Sequence, residues 1–184
     1  MKTIILGTAH LKSTPGKCSP DKSFYEYQYS REVCKAIKAI LQNMDYQVFI
    51  DIEDDDLDVN QNRELNLRCK IVNDLQKTYK NCIYVSIHVN AAGNGTNWMN
   101  ATGWSAYTST GVTSADKLAN CLYDAAKKNL KGKKIRTEMT DGDPDIESNF
   151  YVLKHTNCPA VLTENFFQDN KEDVEYLKSN IGFH

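Results

Sequence analysis

The sequence NCIYVSIHVNAAG, residues 81–93, decides how the chain is expected to fold. Its first half is short, β-branched and aromatic, which predicts a buried strand, and the Asn, Ala and Gly that follow predict a loop. His88 lies near the end of the apolar run. A buried imidazole needs partners for its ring nitrogens, and ligands bind where the strands of open α/β sheets end. His88 is therefore either a core histidine with satisfied partners, the commoner case for such a residue taken alone, or a functional residue held on a rigid strand.

Strand and helix patterns alternate on both sides of this stretch. Apolar runs predict further strands at residues 3–6, 46–50, 104–108, 150–153 and 159–164. Helical periodicity predicts helices that begin near Ser23, Gln61, Thr113 or Ser114, and Glu172. This alternation is typical of an α/β fold. We predict a single domain, residues 1–184, with a central, mostly parallel twisted sheet of about six strands and helices on both faces.

Composition excludes several classes of function. The 184 residues include 22 Lys and Arg against 24 Asp and Glu, a formal net charge of -2, so no basic surplus favours nucleic acid. No apolar run approaches the roughly 20 residues that cross a bilayer. Residues 1–7 contain only a three-residue apolar core, too short for a signal peptide, so the route of any export is open.

The cysteines and an acidic run indicate ordinary structural features rather than metal sites. The six cysteines form no C-x-x-C pair, which excludes a zinc knuckle, and we expect them to be mostly reduced. The acidic run at residues 51–60 lacks the glycine and terminal glutamate of a calcium loop, so we expect a solvated loop.

Three polar residues are predicted at the ends of apolar strands, namely His10, His88 and Glu164. Glu26 lies at the start of the first helix, where it either forms a capping box with Ser23 or faces the strand ends. Two histidines and a carboxylate are a recurrent catalytic zinc set that leaves a position open for water. A further carboxylate can transfer the proton of that water. The H-E-x-x-H, G-x-S-x-G, G-x-G-x-x-G and P-loop motifs are all absent.

With these residues in place, the chain resembles the zinc-dependent N-acetylmuramoyl-L-alanine amidases of the type 3 family, from about Thr3 to Leu177. The fairly specific segments are Ser86-Ile87-His88-Val89-Asn90-Ala91 and Pro159-Ala160-Val161-Leu162-Thr163-Glu164. Supporting similarity comes from Glu26 at a helix start, Leu65, Arg68, Asn73, residues 103–107 and residues 114–118. Gly7-Thr8-Ala9-His10 stands where the family usually has Asp-Pro-Gly-His, so the histidine is kept and the turn before it differs.

The resemblance implies roles for these residues. His10, Glu26 and His88 would bind Zn²⁺, and Glu164 would be the general base and acid. The implied reaction is hydrolysis of the amide bond between N-acetylmuramic acid and L-alanine of peptidoglycan. Asn90 and Arg136 are candidates for contact with the substrate or oxyanion, against plain surface or supporting roles.

The resemblance also implies an oligomeric state, a substrate and a location for the protein. We expect a monomer that acts on peptidoglycan or muropeptides in the cell wall or periplasm, with no nucleic acid partner. The family usually has another helix after the segment that matches Glu172 to Leu177, so the domain either lacks a final C-terminal helix or closes differently. Two alternatives remain, a zinc carboxypeptidase or peptide amidase on a related fold and an inactive cell-wall binding module.

Overall fold

The computed structural model describes residues 2–53, 57 and 59–179. This part of the chain contains six strands and five helices, which alternate except that the fourth strand follows the third directly. The strands are β1 (Thr3–Thr8), β2 (Gln47–Ile50), β3 (Cys82–Asn90), β4 (Trp104–Thr108), β5 (Ile146–Glu147) and β6 (Ala160–Phe167). The helices are α1 (Glu26–Gln42), α2 (Gln61–Tyr79), α3 (Ser114–Asn129), α4 (Tyr151–His155) and α5 (Lys171–Ser179).

The six strands form one sheet in the order β2-β1-β3-β6-β4-β5. β1 is parallel to β2 and β3, β3 is parallel to β6, and β4 is parallel to β5. Only the pairing of β4 with β6 is antiparallel among the strands that the structure describes. The predicted α/β architecture with a mostly parallel sheet of six strands is confirmed, and the residues of the opening stretch form its central strand, β3.

Helices cover both faces of the sheet, as predicted. Ile5, Tyr84 and Leu162 pack on one face against α2 and α4. Leu6 and Ile87 pack on the other face against α1, and β4 and β6 pack there against α3 and α5. Parallel strands covered on both faces bury near-continuous apolar runs, which explains why β1, β3 and β6 contain mainly apolar residues.

The prediction of a strand at residues 150–153 is wrong, because this segment leads into the short helix α4. A short apolar run does not distinguish a strand from a buried helical turn. Val152 and Leu153 are buried against the α2 side of the sheet, and their burial accounts for the apolar pattern. The chain also forms the short strand β5 just before α4, at residues for which the sequence predicts no strand.

Two local predictions at helix and loop boundaries also need correction. Ser23 does not cap α1, since the helix begins at Glu26 and the N-cap residue Tyr25 makes no side-chain capping bond. Asp51 is buried rather than solvated. Asp54, Asp55, Asp56 and Asp58 of the same acidic run lie outside the described residues. Thr113 caps α3 in a capping box with Asp116, as expected for one of the two predicted caps.

All six cysteines are unpaired thiols, in agreement with the expected reduced state. Within the described ranges, no helix has the length and apolar character that a membrane span requires.

Candidate metal centre

The candidate site lies where the neighbouring parallel strands β1 and β3 end. Since these strands run in register from Thr3 and Cys82 to Thr8 and Ile87, their carboxyl ends meet at one edge of the sheet. His88 follows on β3, and His10 follows two residues after β1. Glu26, the first residue of α1, lies against both imidazoles.

The three side chains converge closely enough to share one ion. One donor atom from each of His10, Glu26 and His88 lies within 4.8 Å of the other two. Glu26 Oε1 is 3.1 Å from His88 Nδ1 and 3.6 Å from His10 Nε2. The two imidazole rings stand edge to face with centroids 5.2 Å apart, so their nitrogens approach the same carboxylate from different directions.

The protonation states of this group fit metal binding. Burial lowers the pKa of His10 to about 3, and this leaves its imidazole neutral, the form that ligates metals. Burial alone would raise the pKa of Glu26, but the hydrogen bond with His88 and the proximity of His10 bring that pKa below its usual value. Glu26 is 1% exposed, and its Oε2 atom has no hydrogen-bond partner. A buried ionised oxygen without a donor is costly unless a cation compensates it, so the donor set fits a bound metal.

The ring of His88 is held from both sides. Its Nδ1 atom pairs with Glu26, and its Nε2 atom lies 3.0 Å from Ser86 Oγ. Glu26 Oε1 also accepts a bond from the Val89 backbone N–H, which ties the start of α1 to β3. A partner on the second nitrogen fixes the orientation and tautomer of a ligating imidazole.

His10 occupies a strained turn that two arginines support. Its φ is 44°, in the left-handed region that non-glycine residues seldom adopt. The carbonyl oxygen of His10 accepts hydrogen bonds from Arg31 at 3.0 Å and from Arg68 at 3.3 Å. Ser30 accepts a bond from the Ala9 N–H and donates to Ile87 O, which joins the turn to β3. This main-chain support explains how the turn holds its unusual conformation.

Arg68 belongs to a buried network beneath the site. Its guanidinium donates to Asp51 at 2.8 Å and to Glu64 at 2.9 Å, and its Nη1 also lies 3.1 Å from Thr8 Oγ1. Tyr84 of β3 donates at 2.9 Å to Asp51 Oδ2, the same oxygen that accepts from Arg68. The network connects α2, β1, the end of β2 and β3, so it fixes the relative positions of the strands that carry the two histidines.

Glu164 stands beside His88 on the adjacent strand. The two residues are direct partners in the β3–β6 register, and a register shift follows immediately between His88 and Asn90. Glu164 Oε2 is enclosed and has no hydrogen-bond partner. Burial raises the pKa of Glu164 well above its usual value, and the nearby charge of Glu26 raises it further. This carboxyl group can therefore hold a proton next to the candidate metal ligands.

These groups line one cleft with a volume of ≈ 270 Å³. His10, His88 and Glu164 face it together with Lys17, and α2, α4 and β6 contribute its walls through Leu65, Tyr151, Val152 and Leu162. Sequence reasoning missed Lys17, which lies in a turn-rich loop, and Arg31, which is one among many helical cations with no local motif. Only the folded chain shows that they approach the site.

The remaining two candidate residues, Asn90 and Arg136, make contacts outside the lining of this cleft. Asn90 accepts a bond from the Ala91 N–H through its own side chain, and its carbonyl accepts from Gln168 N–H. The Arg136 guanidinium lies 5.2 Å from the ring centroid of Phe167. Among the described residues that line the cleft, neither Asn90 nor Arg136 occurs, and their contact with the substrate or oxyanion stays a prediction.

Comparisons with known proteins agree with this geometry. Residues 4–182 match the family described as N-acetylmuramoyl-L-alanine amidase. Over 102 residues, or 53% of the chain, the sequence is 36% identical to an endolysin of Bacillus phage SPP1 and 34% identical to the N-acetylmuramoyl-L-alanine amidase CwlM of Bacillus licheniformis. The matched segment spans 33% of the length of each of these two relatives. The crystal structure of an N-acetylmuramoyl-L-alanine amidase from Clostridium difficile 630 superimposes with a TM-score of 0.79 and 25% identity, covering 97% of this chain and 86% of that one.

Proposed function

The chain belongs to the N-acetylmuramoyl-L-alanine amidase family, and from this premise we propose that it hydrolyses the amide bond between N-acetylmuramic acid and L-alanine in peptidoglycan. One observation carries most weight: donor atoms of His10, Glu26 and His88 lie within 4.8 Å of one another, and Glu164 lines the same cleft as the two histidines. Nothing in the packing of an α/β sheet requires these four polar residues to converge at the strand ends.

Zinc is the proposed cofactor, held by His10, Glu26 and His88. Two imidazoles and one carboxylate are the ligand types of catalytic zinc sites, whereas hard cations such as magnesium and calcium prefer oxygen ligands. A bound zinc ion supplies a Lewis acid that polarises a carbonyl and makes a water more acidic. The unpartnered Oε2 atom of Glu26 supports this assignment.

Glu164 is the proposed general base and acid. Water adds to the amide carbon, and Glu164 takes the proton that the water loses. The same carboxyl group then gives that proton to the nitrogen of L-alanine as the carbon–nitrogen bond breaks, which leaves a lactyl carboxylate and a free amine. The register of β3 and β6 keeps Glu164 next to His88 during both transfers.

The wider setting is also part of the proposal. Residues 1–184 would form one catalytic domain that works as a monomer on peptidoglycan in the cell wall or periplasm. The family match and the solvent-open cleft support this substrate. Lys17 also lines the cleft, and its ammonium group would attract an acidic part of the stem peptide.

Metal analysis combined with mass spectrometry of digested peptidoglycan tests the proposal. The parent protein should hold one zinc per chain and release peptides with a free L-alanine amine. Glu164→Gln should keep the zinc and lose turnover by about 10²–10⁴-fold, whereas His88→Ala should lose both. Glu32→Gln, the same change at an exposed position of α1, is the matched control and should behave as the parent.

Three results would contradict parts of this assignment. Full cleavage by Glu164→Gln would show that Glu164 is not the general base and acid. Cleavage of free peptides without release from muropeptides would favour a carboxypeptidase or peptide amidase. Binding of peptidoglycan by a zinc-free parent protein without any hydrolysis would favour a binding module.

A further inference from the structure

A second group of convergent carboxylates lies at the β4–β5 edge of the sheet. Asp116 is on the first turn of α3, and Asp143 and Asp145 are in the segment that leads into β5. One oxygen from each of the three side chains lies within 4.8 Å of the other two. None of these residues belongs to the cleft that contains His10 and His88.

The burial of Asp145 is an independent indication that this group of carboxylates binds a ligand. Asp145 is only 2% exposed. Its Oδ2 atom accepts a hydrogen bond from Thr108 Oγ1, but its Oδ1 atom is enclosed and has no partner. Asp143 Oδ1 is likewise enclosed without a partner. Leaving such oxygens unsatisfied costs free energy, so a ligand that contacts both would be stabilising.

Among the residues that the structure describes, no lysine or arginine pairs with these carboxylates. In the ranges 2–53 and 59–179, the recorded ion pairs do not include Asp116, Asp143 or Asp145. Like charges held this close repel one another by Coulomb's law, and partial burial strengthens the repulsion. A fold that gathers three carboxylates without a lysine or arginine gains most from a bound metal ion.

The ligand positions are also set in advance by hydrogen bonds. Asp116 is fixed by its capping box with Thr113 at the start of α3. Thr108 at the end of β4 orients Asp145, and Glu138 N–H donates to Pro144 O across the preceding loop. The three carboxylates therefore come from two segments that are anchored separately and that an ion would connect.

We propose that Asp116, Asp143 and Asp145 bind a calcium ion that links the start of α3 to the segment before β5. An all-oxygen, carboxylate-rich set suits a hard divalent cation rather than zinc. Calcium accepts irregular oxygen geometry, whereas magnesium demands a near-octahedral shell and keeps several waters. The calcium ion would stabilise this edge of the sheet and leave the His10 centre to its own metal.

Thermal unfolding of the protein at one fixed zinc concentration, in buffer with calcium, with magnesium or with neither, provides the test. Calcium should raise the unfolding midpoint of the parent in proportion to the logarithm of its concentration, and magnesium at equal concentration should raise it less. Asp143→Asn and Asp145→Asn should show little or no calcium shift, while Asp124→Asn, an exposed carboxylate on the same helix α3, should keep the full shift.

Terbium luminescence excited through tyrosine gives a second reading that does not depend on stability. Tyr123 is buried on α3, the helix that carries Asp116. Burial raises the pKa of its hydroxyl, and the charges of Asp145 and Asp143 raise it further. Terbium should therefore bind the parent and Asp124→Asn alike, compete with calcium, and bind Asp145→Asn at least about tenfold more weakly. An equal calcium shift in Asp145→Asn and the parent, or no shift and no terbium emission in the parent, would overturn the site. A magnesium response equal to that of calcium would overturn the choice of calcium.

Discussion

Replacing Arg68 by methionine should lower the free energy of unfolding far more than the loss of an exposed salt bridge would. The Arg68 side chain is 3% exposed and its two carboxylate partners, Asp51 and Glu64, are 0% and 3% exposed. The substitution would leave both carboxylates buried without their cation, a loss of about 3–5 kcal/mol. Since small domains are stable by only about 5–15 kcal/mol, this loss would consume a large part of the total.

Equilibrium urea unfolding, followed by tryptophan fluorescence, measures this cost. Lys70→Met is the matched control, because Lys70 lies on the same helix but forms an exposed pair with Asp74 and should change the unfolding midpoint little. Neutralising the partners as well, in the triple variant Arg68→Met, Asp51→Asn, Glu64→Gln, should recover much of the loss. A loss for Arg68→Met no larger than that for Lys70→Met would refute the view that this network holds the strand ends. Zinc affinity should fall with stability, because the His10 carbonyl loses one of its two arginine donors.

Three further predictions concern other parts of the chain. Gly7→Ala should destabilise the fold by about 1–3 kcal/mol in the same unfolding assay, because the added Cβ would overlap the Tyr84 hydroxyl and lie 2.8 Å from Ser86 Oγ; wild-type stability would contradict this packing. Without added cation, the parent should gain stability relative to Asp145→Asn as the pH falls from about 7 to about 4.5. Burial raises the pKa of Asp145 to about 6, so the folded state takes up a proton before the unfolded state does. The same pH dependence of stability in both proteins would contradict this prediction. A thiol reagent should modify the exposed Cys121 long before Cys34, whose pKa burial raises to about 12, as peptide mapping after partial labelling would show.

Local patterns predicted the strands that carry the site because parallel strands bury continuous apolar runs. β1, β3 and β6 each end in or near a polar residue, and the alignment of parallel strand ends made their convergence foreseeable. The antiparallel pairing of β4 was not foreseeable, since pairing direction depends on how distant segments dock and leaves no local trace.

The incorrect predictions have the same cause, because local sequence patterns do not show contacts between distant residues. The spacing from Ser23 to Glu26 is that of a capping box, yet Glu26 contacts His88, which is 62 residues away. The acidic residue Asp51 looked solvated because its cation, Arg68, comes from the next helix. The segment at residues 150–153 has the apolar content of a strand, but its burial against α2 is equally compatible with the helical turn that forms.

The support of His10 through its carbonyl oxygen has a consequence for how such turns can diverge. Every amino acid offers the same main-chain oxygen, so Arg31 and Arg68 grip a position that no substitution at residue 10 itself removes. The side chains at Thr8 and Ala9 are constrained separately, since both are buried and Thr8 Oγ1 also contacts Arg68. The conformation of this turn therefore depends on two arginines from the first two helices rather than on the side chain of residue 10 itself.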